Sequence, residues 1–87
     1  MKTSEYTIEV ERFKFGAGSK KKVVTGTLEY LRKYFNYTLE CGQSYEHEKG
    51  NKKINMNPKS AKALVSALNK AEANRSASCQ MTFFSLA

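Results

Sequence analysis

The sequence predicts a small α+β domain in which an antiparallel sheet packs against two helices. Three patterns point there. Apolar and polar residues alternate on both sides of a glycine-rich turn near the N-terminus. Two later stretches repeat apolar residues at helical spacing, and the C-terminal segment returns to alternation.

In EYTIEVERFKF, residues 5–15, Tyr6, Ile8 and Val10 share one face of a strand, and the apolar positions then change parity to Phe13 and Phe15. That change predicts a bulge near Glu11–Arg12 or a strand that is apolar on both faces at its end. GAGS at 16–19 has turn composition, and KKKVVTG at 20–26 returns as a second strand, completing a hairpin. Thr27 is placed to cap a helix starting at Leu28, with Glu29 in the first turn where the helix dipole favours an acid. Leu28, Leu31, Phe35 and Leu39 form its apolar stripe, and Gly42 is expected just past its C-terminus. The aromatic and Thr content of 34–41 leaves a strand open for the last part, with helix favoured.

The second helix is expected to take Asn57 as N-cap and Pro58 as its first residue, where the missing N–H costs nothing. Ala61, Leu64, Val65, Leu68 and Ala71 form its buried stripe, and Asn74 and Ser76 end it. CQMTFFSLA sets Cys79, Met81 and Phe83 against Phe84 and Leu86, a terminal strand buried on both faces if it lies centrally. The expected order is β-β-α-loop-α-β in a single domain over 1–87, with no internal repeat.

Composition narrows the function. Fifteen Lys and Arg oppose eight acids, all of them Glu, for a net charge of +7 on 87 residues. Such a chain attracts polyanions over long range. No apolar run is long enough to span a bilayer. MKTSEYTIEV has no signal-peptide character, so the expected location is the cytoplasm and no membrane partner is implied. Cys41 and Cys79 fit buried thiols in a reducing compartment. Two thiols and one histidine argue against a structural zinc site, and no cofactor is implied.

The stretch YEHEKGNKKINMNP, residues 45–58, holds the only histidine and the only proline. Glu46, His47 and Glu48 resemble acid–base material, but neighbours on an extended segment point to opposite faces and do not converge. No local signature supports Ser44, Cys41 or Cys79 as a nucleophile. Gly50–Asn51 gives the type II′ hairpin signal, which would set Lys49 against Lys52, Glu48 against Lys53, His47 against Ile54 and Tyr45 against Met56. An anion at the tip would relieve the Lys49–Lys52 repulsion; the plainer alternative is a solvated loop whose lysines aid solubility.

Charge gathers in three clusters: Lys20, Lys21 and Lys22; Arg32 and Lys33; and Lys49, Lys52, Lys53, Lys59 and Lys62, with no acid between Lys49 and Lys62. The third adjoins the start of the second helix, whose free N–H groups also attract anions. Lysine-dominated contacts neutralise a phosphate backbone more than they read bases. Among the interleaved aromatics Phe35 is assigned to the core, while Tyr30, Tyr34 and Tyr45 are open to stacking on unpaired bases. Tyr45, His47, Asn51 and Asn55 complete the set of contact candidates.

In the region of Tyr34 to Asn69, YTLECGQSYEHEKGNKKINMNPKSAKALVSALNKA (residues 37–71) resembles the pattern YTLE-x-G-x-S-x-x-HEKGNKKIN-x-NPK, followed by a helix with L-x-x-x-L spacing, of the TifA-like (ToxIN-inhibiting factor) family, small basic proteins of T4-like bacteriophages. It covers most of the chain. The resemblance extends to the chain length and to TGT at 25–27, and covers the N-terminal hairpin less clearly. It implies a protein that blocks ToxN, the endoribonuclease toxin of a type III toxin–antitoxin system, in an RNA-dependent manner through both RNA and toxin. The positions that match are His47, Glu48, Lys49, Gly50, Asn51, Lys52, Lys53, Asn55, Asn57 and Lys59.

The expected function is therefore a non-enzymatic RNA-binding inhibitor with RNA and a ToxN-type toxin as partners. A protein-only interaction module that meets an acidic host factor is the alternative, and an enzyme built on His47 is a third. A homodimer through an edge strand is also consistent with so small a sheet.

Overall fold

A computed structural model describes residues 4–14, 16, 18–75 and 80–87. The chain forms β1 (Glu5–Lys14), β2 (Gly18–Thr27), α1 (Leu28–Tyr34), α2 (Asn36–Gln43), α3 (Ala61–Arg75) and β3 (Gln80–Leu86). The strands make one antiparallel sheet in the order β2-β1-β3, with the helices packed against it, so the α+β class holds.

The pairing of β1 with β2 runs without interruption from Glu5–Thr27 to Lys14–Gly18. There is no bulge at Glu11–Arg12. The parity change instead reflects a strand that is apolar on both faces: Ile8 is fully buried under the helices, whereas Phe13 lies on the opposite face, edge-on to Phe83 at 5.7 Å. Phe15 and Cys79 lie outside the described residues. The turn is shorter than its composition suggests, because β2 already begins at Gly18, with Gly16 and Gly18 at φ +79° and +81°.

Thr27 caps α1 as expected, its Oγ1 accepting from the Tyr30 amide at 3.1 Å. The expected single helix breaks at Phe35, whose φ and ψ of −98° and 9° leave the helical range. The apolar stripe survives the break: Leu31, Phe35 and Leu39 are all buried. The Phe35 ring meets Phe84 edge-on at 5.6 Å, fastening the bend to the sheet. Gly42 is not a C-cap. It lies within α2, where an added Cβ would come within 2.3 Å of the Ala71 Cβ and 2.4 Å of the Ala71 Cα. Its missing side chain is what lets α2 and α3 approach.

The last helix starts at Ala61, not Pro58. The Ser60 hydroxyl accepts from the Ala63 amide at 3.1 Å, and the Ser60 carbonyl from the Leu64 amide at 2.9 Å, which makes Ser60 the cap. Asn57 and Pro58 belong to an irregular segment before it, where Pro58 is buried and the Asn55 Oδ1 accepts from the Asn57 amide at 3.1 Å. Ala61, Leu64, Ala67, Leu68 and Ala71 are buried along α3, and Val65 packs half-buried against them. β3 is an edge strand with one buried side: Phe84 is 6% exposed and Phe83 46%. Asn69 covers its outer edge, donating from Nδ2 to the Phe84 carbonyl at 2.9 Å and accepting the Phe84 amide at Oδ1 at 2.8 Å. Among the described residues no helix is long and apolar enough to cross a membrane.

Candidate nucleic-acid interface

The expected hairpin over residues 45–56 does not form, because side chains take the backbone groups that a ladder would use. The Ile54 amide donates to the Glu46 carboxylate at 3.2 Å. Asn74 at the end of α3 holds Lys52 from both sides, accepting its amide at 2.9 Å and donating to its carbonyl at 2.7 Å. The same Nδ2 lies 3.3 Å from the Gly42 carbonyl. Asn51 donates its side-chain amide to the Tyr45 carbonyl. The Asn51 amide closes a turn onto the Glu48 carbonyl at 3.1 Å, with Gly50 at φ +81°, the left-handed value that the third position of a type II turn requires. Two asparagines thus bind the lysine-rich loop to the C-terminal end of α3 and to α2. Lys49, Lys52 and Lys53 are left exposed on a fixed backbone.

The segment that carries Glu46, His47 and Glu48 is a run of turns and not the extended piece expected, the Glu46 amide closing onto the Gln43 carbonyl at 3.1 Å and the Glu48 amide onto the Tyr45 carbonyl at 3.0 Å. Glu46 turns half-buried toward Ile54, while His47 and Glu48 stay exposed. Tyr45 is 45% exposed at the start of the loop.

Arg32 on α1 donates to the Asn57 Oδ1 at 3.0 Å and so joins the second basic cluster to the third. An open groove of about 680 Å³ follows this junction, lined by Leu28, Glu29, Arg32, Lys33, Asn36, Leu39, Met56 and Asn57. A second groove of about 440 Å³ adjoins it, lined by Gln43, Lys53, Ile54, Asn55, Met56 and Asn57. Leu39 and Met56 give an apolar floor, and Arg32, Lys33, Lys53 and three asparagines give a polar rim with cations at each end. Volumes of this order suit a small polar–apolar ligand group. With its Oδ1 committed to Arg32, Asn57 keeps its Nδ2 for an acceptor in the groove. Glu29 and Lys33 pair at 3.6 Å on an exposed helix surface, an interaction worth little that a stronger anion can displace.

Lys59 and Lys62 are exposed on either side of the Ser60 cap, and the first turn of α3 contains no acid. Lys20, Lys21 and Lys22 do not act as one cluster. Strand alternation puts Lys20 and Lys22 on the side of the sheet that carries the helices, and Lys21 on the other. The Lys22 ammonium donates to the Tyr34 hydroxyl and lies 5.2 Å from the Tyr34 ring centre, which ties β2 to α1. Tyr30 and Tyr34 stand side by side, ring centres 6.0 Å apart, half-exposed on this flank. Tyr37 is exposed on α2, and its phenol is raised above its ordinary pKa by a hydrogen bond to the Cys41 side chain and by electrostatic interaction with the same sulfur.

Sequence reasoning missed Met56, Asn36 and Asn74. Met56 had a usable signal as an apolar residue inside a lysine run. Asn74 had none, because its partner at Lys52 is 22 positions away. The chain matches no protein-family model, no curated protein and no solved structure.

Proposed function

We propose that this chain is a non-enzymatic RNA-binding protein that inhibits a ToxN-type endoribonuclease toxin, with its lysine-rich surface holding the RNA. The observation that carries the reading is the Arg32–Asn57 hydrogen bond, which joins two basic clusters into a continuous rim over an apolar groove. The fixed backbone of Lys52 adds preorganisation: lysines whose main chain is already ordered lose less freedom when they meet phosphates. The resemblance of residues 37–59 to the TifA-like pattern supplies the toxin as target and an RNA-dependent mode of action.

On this reading, Lys49, Lys52, Lys53, Lys59 and Lys62 neutralise backbone phosphates, and Arg32 and Lys33 do so at the other rim. One unstacked base enters the groove over Leu39 and Met56, where the Asn57 Nδ2 donates to a base carbonyl. Backbone neutralisation makes binding strongly salt-dependent and tolerant of sequence, while the groove favours single strands over duplex. The location proposed is the bacterial cytoplasm, where such a toxin acts.

The test is recovery of the protein–toxin complex with and without ribonuclease treatment, beside a variant with Lys49→Glu, Lys52→Glu and Lys53→Glu. Release of the toxin on ribonuclease treatment, with loss of protection in the variant, is expected. A complex that survives the treatment would instead support the protein-only inhibitor, and a variant that protects cells as the parent does would overturn the site.

A further inference from the structure

The two faces of the sheet carry opposite charge. On the face toward the helices the strands place Arg12, Lys20 and Lys22, and no acid. On the face away from the helices β1 places Glu5, Glu9 and Glu11, and β2 answers with Lys21 alone. Three of the eight acids of a strongly basic chain therefore sit on one strand of one face. The same face exposes Val23 (56%), Phe83 (46%) and Phe13 (39%), and no described helix packs on it. Alternation fixes this arrangement, since Glu5, Glu9 and Glu11 share parity with Phe13.

We propose that this open face is a second docking surface, taking the basic, partly apolar surface of a protein partner. Phe13, Phe83 and Val23 form the apolar part, and Glu9 and Glu11 meet the partner's lysines and arginines. Charge selects among occupants. RNA is repelled by the carboxylates. A second copy placed face to face would set Glu9 and Glu11 near their own counterparts with only Lys21 to balance them. An RNA-cleaving enzyme must present cations to its substrate, so its substrate-facing surface has the complementary chemistry. The assignment to a ribonuclease rests on the function proposed above. It adds that the chain holds RNA on one side and protein on the other.

The experiment uses a catalytically inactive ToxN-type ribonuclease as probe, titrated with and without RNA against the parent, Glu9→Lys/Glu11→Lys, Phe83→Ser, and Lys49→Gln/Lys52→Gln/Lys53→Gln. Thermal melts confirm that each variant folds. The Glu9/Glu11 and Phe83 variants are expected to lose about tenfold or more in affinity for the ribonuclease while retaining RNA on a filter as the parent does. The lysine variant is expected to lose RNA on the filter and to bind the ribonuclease only as weakly as the parent does without RNA, since the acidic face alone does not hold the complex through ribonuclease treatment. Unchanged ribonuclease affinity in the Glu9/Glu11 variant, or no binding by the parent under either condition, overturns the proposal. A parent that dimerises through this face, with the dimer lost in Phe83→Ser, overturns it in favour of a second copy. The filter assay reads RNA binding separately, so failure of the RNA reading and failure of this face give different results.

Discussion

Replacing Asn74 by Ala removes the clamp that holds the lysine loop. It deletes the bond from the Lys52 amide at 2.9 Å, the bond to the Lys52 carbonyl at 2.7 Å and the longer one to the Gly42 carbonyl at 3.3 Å. A hydrogen bond contributes about 0.5–1.5 kcal/mol net, and bonds near solvent fall at the low end, so the gross loss is about 1.5–2 kcal/mol. Ala is the better helix former by roughly 0.5 kcal/mol, less near a helix end, which leaves a net cost of about 1–1.5 kcal/mol. In a domain of this size each kcal/mol lowers the midpoint of thermal unfolding by about 4–8 °C. Differential scanning calorimetry measures the global effect, and hydrogen exchange at the Lys52 amide measures the local one. Asn74→Asp is the control. It keeps an acceptor for the Lys52 amide but turns a carboxylate toward two carbonyl oxygens, so it is expected to be at least as destabilising as Ala. Melting points and Lys52 exchange rates equal to the parent's in both variants would refute the clamp.

Three further substitutions probe the frame around the site. Gly42→Ala is expected to lower stability by about 1–3 kcal/mol in urea unfolding, because the new methyl group meets the backbone of Ala71; parental stability would refute the close approach. Asn69→Leu should cost roughly 1–2 kcal/mol and free the outer edge of β3, so the variant is expected to self-associate in sedimentation while the parent does not increase its mass under the same conditions. Arg32→Gln removes one phosphate contact and the hold on Asn57, so it should make the salt slope for single-stranded RNA shallower by about 0.7 and weaken single strand more than duplex, with little change in melting point; equal losses for duplex and single strand would remove the groove from the account.

Much of the sheet was legible because a strand writes its faces into alternation. Ile8 and Val10 announced the helix-covered side, while the switch to Phe13 left a bulge and a two-faced strand open until the uninterrupted pairing of β1 with β2 decided for the latter. Thr27 was legible for a similar reason: a cap needs only a side-chain oxygen within three residues of the amide it serves. Asn57–Pro58 misled because it meets the same local rule as Ser60. The choice between them was made by Arg32, which takes the Asn57 side chain, and by the burial of Pro58, and neither is local. Gly42 misled because the absence of a side chain serves a C-cap and a close helix approach equally. The lysines of the site were visible as charge, but the groove that gives them a direction needs α1 and residues 53–57 side by side. The break at Phe35, the Asn51 and Asn74 bonds and Met56 supply that arrangement through contacts distant in sequence.

The central claim is that the lysine loop neutralises RNA phosphates. Its most direct test is the salt dependence of affinity for a single-stranded RNA, measured by filter binding from about 50 to 200 mM salt for the parent and for Lys49→Gln/Lys52→Gln/Lys53→Gln. The account predicts a steep linear fall of log affinity with log salt for the parent. It predicts a slope shallower by about 2 for the variant, since three phosphate contacts at about 0.7 each are removed. A flat response in the parent, or the same slope in both proteins, would contradict it.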